Sequence, residues 1–136
     1  MSHMETERIE NTSQDSNKTL NRKMKILLDI GQTLMENGAD CARVVRDMTR
    51  ASVHLHIPAG QIQSHVTYTT LMLSVSDGER SFTQFRKCMK HGVNLAVIEA
   101  ISKLTWRILR GNTPMNAIES AVHRIWRCPR CYSPLL

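Results

Sequence analysis

The feature that most constrains this chain is a change of hydrophobic period, from helical to alternating and back. Leu20, Met24, Leu27, Leu28, Leu34 and Met35 fall at helical spacing with Gly31 on the same stripe, and Asn37-Gly38 supplies a left-handed stop. Asp40 is placed to cap a second helix whose inner face is Cys41, Val44, Val45, Met48 and Leu55, closed by Pro58. The short joint at Gly38 makes the two helices antiparallel. The texture then changes. Val66 to Thr70 is β-prone, Leu71, Leu73 and Val75 alternate, and Asp77-Gly78 is a hairpin signal. Arg80 to Lys87 is the expected return strand, and the spacing of three between Phe82 and Phe85 suggests a bulge. Gln61 to Val66 offers a third strand. Helical spacing resumes with Val97, Ile98, Ile101, Leu104 and Ile108, after Asn94 as cap. Gly111 ends that helix, Thr113-Pro114 starts another as cap and first residue, and Ile118, Ala121, Val122, Ile125 and Trp126 line its inner side. A chain of this kind is α+β: two N-terminal helices, a small antiparallel sheet of two or three strands, and two C-terminal helices.

Length and composition fit one such domain. The chain has 136 residues, 41% of them hydrophobic, and only 4% aromatic, so aliphatic side chains and eight Met must fill the core. No run approaches the ~18 apolar residues of a membrane span. Met1-Ser2-His3 reads as a cloning remnant and the acidic stretch after it as a disordered tail, so residues 1–19 are set apart from a domain at 20–128. Four cysteines without a secretion signal favour a reducing compartment. The formal net charge is +6, and from Ile101 onward Lys103, Arg107, Arg110, Arg124, Arg127 and Arg130 face only Glu119. A basic end of this kind suits an anionic membrane surface or an acidic partner. Nucleic acid is not expected, because no reader motif or row of stacking aromatics accompanies the charges.

Few residues suggest chemistry. Cys128-Pro129-Arg130-Cys131 has the spacing of half a zinc ribbon, but no second knuckle supplies the other two ligands, so Cys128 and Cys131 are weak metal candidates and no resident cofactor is expected. His54, His56 and His65 are too scattered along different elements to define a metal site by spacing. Glu36, Asp40 and Arg43 gather at the first helix joint, and His65 and Thr67 lie at the first strand. These five are the candidate ligand-binding or hydrolytic groups, although capping and ion pairing also account for the first three. The chain has no glycine-rich phosphate loop, nucleophile elbow or zinc-protease helix.

Two ordered runs carry a resemblance. Leu27-Leu28-Asp29-Ile30-Gly31-Gln32-Thr33-Leu34-Met35-Glu36-Asn37-Gly38-Ala39-Asp40, followed by Arg43-Val44, resembles the opening helix and Gly-Ala turn of the threonine/serine exporter family. Gly92-Val93-Asn94-Leu95-Ala96-Val97-Ile98-Glu99-Ala100-Ile101-Ser102-Lys103-Leu104 is similar to its second signature, and Gly111 with Thr113-Pro114 to the break before its last soluble helix. The resemblance implies a cytoplasmic N-terminal domain that precedes a multi-helix membrane domain exporting threonine and serine on the proton gradient. It implies that 129–136 is a juxtamembrane segment and that the parent protein sits in the cytoplasmic membrane. The domain alone is then not transport-competent, and its expected work is regulatory, assembly-related or substrate-sensing. Its expected partners are the membrane domain of the same chain, an anionic membrane surface near the C-terminal end, and a second copy in a homo-oligomer. The alternatives are a small hydrolase-like domain and a zinc-binding interaction module.

Overall fold

A computed structural model describes residues 3–76, 80–89, 92–111 and 113–127, with the backbone alone described at 3–15, 59 and 127. These residues form α1 (His3–Glu36), α2 (Cys41–His54), a 3-10 turn at Ala59–Gln61, strands β1 (Ile62–Val66), β2 (Thr70–Ser76) and β3 (Ser81–Lys87), then α3 (Leu95–Arg110) and α4 (Met115–Arg127). The sheet is antiparallel in the order β1-β2-β3, so the α+β arrangement with a third strand stands as expected.

The local signals act where the residue types place them. Gly38 adopts φ 96° just past α1, and its N–H and that of Ala39 bond back to the carbonyls of Met35 and Leu34. Asp40 caps α2, accepting from the Arg43 amide at 2.8 Å, and Asn94 caps α3, accepting from the Val97 amide at 3.3 Å. At α4 the expectation shifts by one residue. The Pro114 carbonyl accepts from the Ile118 amide, so Pro114 holds the cap and Met115 is the first helical residue.

Pairing explains the sheet's two faces. Leu71, Leu73 and Val75 of β2 are buried, and they lie opposite Val66, Ser64 and Ile62 on one side and Arg86, Gln84 and Phe82 on the other. That face packs on α1. Gly31 permits the approach, since a Cβ there would stand 2.6 Å from Leu71 Cδ2 and 2.8 Å from Met48 Sδ. The other face, carrying His65, Met72, Thr83 and Phe85, has no helix over it among the described residues. Phe85 is 71% exposed there, while Phe82 packs on the core. The β2–β3 register is continuous from Thr70↔Lys87 to Ser76↔Ser81, so the expected bulge is absent from this ladder. The odd spacing of the two phenylalanines instead puts them on opposite faces. The Asp77-Gly78 turn lies outside the described residues.

Met24, Leu27, Leu28, Ile30 and Leu34 of α1 are fully or almost fully buried against Val44 and Met48 of α2, Ile101 and Ile108 of α3, and Ile118 of α4. Helix α1 is the shared partner of the other three helices and of the sheet. It also corrects one expectation: the helix begins at His3, well before Leu20. The segment from His3 to Thr19 has neither Gly nor Pro, and extending an already nucleated helix adds one bond per residue without a new nucleation cost.

Candidate functional site

Three connections meet at the end of the molecule where α1 stops. The Gly92 amide donates to the Glu36 carbonyl at 3.0 Å, and the Asn94 amide donates to the Asn37 carbonyl at 2.9 Å. These bonds hold the segment before α3 against the α1–α2 turn. The β1–β2 turn closes the third side, tied by the Thr67 amide donating to the Thr70 carbonyl at 2.8 Å. Between them lies a cleft of about 510 Å³, walled by Met35, Gly38, Ala39, Asp40, Cys41, Thr67, Tyr68, Gly92 and Val93. Of its lining Tyr68 and Val93 are exposed, Val93 to 81%, and Met89 and Leu95 are exposed within a few residues of it along the chain. An apolar cluster at a loop end is unusual, because loops there ordinarily expose polar groups.

The sequence-predicted candidates do not converge in this cleft. Asp40 and Thr67 line it, but the Asp40 carboxylate accepts from the Arg43 amide and the Thr67 hydroxyl accepts from the Thr70 amide at 3.0 Å. Glu36 is beside it through its carbonyl, while its carboxylate accepts from Gln32 Nε2 at 2.9 Å. Arg43 turns to the α2–α3 interface, where Nη2 donates to Ser102 Oγ at 3.1 Å. That hydroxyl in turn donates to Asp47 Oδ2 at 2.8 Å, and Asp47 is wholly buried. His65 is exposed on the open sheet face opposite Met72. Asp40, Thr67 and the Glu36 backbone thus meet at the cleft while Arg43 and His65 lie elsewhere, and no nucleophile–base pair forms among the five.

Two thiols are described. Cys41 is exposed at the cleft, in the first turn of α2. Cys88 is buried beneath the cleft floor, its Sγ 3.8 Å from Met35 Sδ. Burial raises the Cys88 pKa above the usual thiol value, with a smaller push from Glu36. Among the described residues no group of three His, Cys, Asp or Glu is arranged to hold a metal ion, and Cys128 and Cys131 lie outside them. His54 and His56 stack with ring centroids 6.5 Å apart, on a different part of the molecule from His65.

The chain's exit is set by α4. Arg22 of α1 donates to Asn116 and pairs with Glu119 at the start of α4, while Lys25 and Asp29 share a cleft with Ser120 and His123 further along. Helix α4 therefore runs parallel to α1, rising toward the end that carries the apolar cleft. The Glu119 carboxylate raises the Arg22 pKa further above its usual value. What sequence reasoning missed is the mouth itself. Tyr68, Met89 and Val93 come from two connections and Leu95 from the first position of α3, and no periodicity marks them.

A family model described as Putative threonine/serine exporter matches residues 25–136. No curated protein and no solved structure matches the chain. No described helix is long and apolar enough to cross a membrane.

Proposed function

This chain belongs to the threonine/serine exporter family, and we propose that the described domain is the cytoplasmic part of such an exporter, docking on its membrane domain through the apolar end. The observation that carries this reading is the exposed Tyr68 and Val93 of the cleft, with exposed Met89 and Leu95 in the adjoining chain, at the end toward which α4 runs. Exposed apolar groups clustered on one end of a small domain mark a contact surface. A part of the same polypeptide that follows α4 is the partner closest at hand. The role is assembly or regulation of transport: the cleft walls offer apolar contact, and their polar groups are already engaged as helix cap and turn. A hydrolase reading has less support, since its candidate groups in the cleft are engaged as cap and turn and Arg43 and His65 lie away from it.

The test is efflux of threonine and serine from cells expressing the chain with its downstream membrane domain. Val93→Asp puts a charge at the mouth, at a position already exposed and so benign to folding. Efflux is expected to fall several-fold at unchanged abundance in the membrane. Efflux equal to that of the unsubstituted protein would overturn the docking reading.

A further inference from the structure

Helices α2 and α3 start at the same end and run side by side, as the Asp47–Ser102 and Arg50–Trp106 contacts require. The rows flanking these contacts are cationic, with Arg43 itself reaching across to Ser102. On α2 they are Arg43, Arg46 and Arg50, at i, i+3 and i+7, and on α3 Lys103, Arg107 and Arg110. The Arg50 guanidinium sits 4.3 Å from the Trp106 ring centre and that of Arg110 5.8 Å, while the ring remains 44% exposed. Three carboxylates are near these rows, and the exposed Asp40 accepts from the Arg43 amide at the start of α2. Asp47 is buried beneath them, taken up by Ser102, and reached by Arg46 and Arg50 at 3.3 and 3.4 Å, so it presents no anion to solvent. Glu99 is exposed one turn before Lys103.

Gathering like charges on one face raises self-repulsion, and the buried Asp47 does not need so many cations to satisfy it. The face also has a half-exposed Trp at its centre, with Val53 and Leu109 exposed where its rows end. Basic residues, an interfacial Trp and scattered aliphatic groups are the chemistry of a surface that lies on a charged bilayer. We propose that the α2–α3 face binds the phosphate-bearing headgroups of an anionic phospholipid bilayer. This rests on the reading that the domain stands beside a membrane, and it places the basic contact on this ridge rather than at the C-terminal end alone. The ridge adjoins the cleft, since Cys41 of the cleft wall and Arg43 belong to the same turn of α2. A nucleic acid would ask for several stacking rings, and this face has one, already covered by Arg50.

The experiment is flotation of the 136-residue chain with phosphatidylcholine vesicles, with and without phosphatidylglycerol. Trp106 fluorescence is followed in a Trp126→Phe background. Binding to the phosphatidylglycerol vesicles, a blue shift of Trp106 and loss of both in high salt are expected. Lys103→Ala with Arg107→Ala should weaken binding by about 25-fold, roughly fivefold for each cation removed. Lys87→Ala, at the exposed end of β3, should leave it within about twofold and serves as a control for net charge. Circular dichroism confirms that each variant is folded. Equal binding to both vesicle types, undiminished binding by the double variant, an equal loss in Lys87→Ala, or binding to a single-stranded DNA probe but not to vesicles would each overturn the proposal. Failure here with Val93-dependent efflux intact removes the lipid contact and leaves the docking reading standing.

Discussion

Gly38→Ala is the substitution that most directly probes how the cleft end is built. Gly38 sits at φ 96°, a backbone region that costs an L-residue roughly 1–2 kcal/mol. A Cβ there would also stand 2.9 Å from the Gly92 carbonyl oxygen and 3.4 Å from Val93 Cα. That oxygen is backbone and has little freedom to retreat, because Gly92 and Asn94 are tied to the Glu36 and Asn37 carbonyls. Overpacking of this kind adds about 1–2 kcal/mol, giving an expected total of about 2–4 kcal/mol. Gly60→Ala is the matched control. A Cβ at Gly60 meets nothing within 4 Å, so the change should be neutral or stabilising by up to about 1 kcal/mol. Urea unfolding followed by far-ultraviolet circular dichroism measures both against the parent chain. A Gly38→Ala variant as stable as Gly60→Ala would refute the account of the turn and of the contact between the two connections.

Three further outcomes are expected. Asp47→Asn keeps the shape but loses a charged acceptor for the Ser102 hydroxyl, and with Arg46 and Arg50 held only at 3.3 and 3.4 Å it should cost about 1–2 kcal/mol in urea unfolding; a loss under about 0.5 kcal/mol would show that the network is not a stabilising one. In a Cys128→Ser, Cys131→Ser background, a thiol reagent should modify Cys41 at once and Cys88 only on opening or unfolding; equal rates would contradict the burial. Because burial raises the Cys88 pKa, the folded state holds that proton more tightly. The corresponding stability is fully present below the ordinary thiol pKa and is lost as pH rises through the raised value. Cys88→Ala should therefore flatten the fall in stability at alkaline pH, and an unchanged alkaline slope would argue against that cause.

The fold was legible wherever a residue acts on its own neighbourhood. Asp40 and Asn94 cap helices, Gly38 stops one, and the alternation of Leu71, Leu73 and Val75 marks the inner sheet face, all by interactions within a few residues. The start of α1 was not legible, because the polar run before Leu20 lacks apolar spacing even though nothing in it breaks a helix. The spacing of three between Phe82 and Phe85 requires a bulge only if both face inward, and Phe85 faces outward. The candidate site was legible only in part. Asp40 and Thr67 do reach one cleft, but Arg43 is drawn away to Ser102, a partner 59 positions along the chain that only the tertiary packing reveals. The apolar mouth and the cationic ridge depend on which connections and helices become neighbours, and a single sequence does not carry that information locally.

The proposed docking surface is the cleft end. Amide hydrogen exchange of the domain alone, compared with the same domain joined to its downstream membrane region, tests this most directly. Added protection should centre on residues 67–69 and 92–95, with β3 on the open sheet face unchanged. Identical exchange at those amides in the two proteins, or added protection confined to β3, would contradict it.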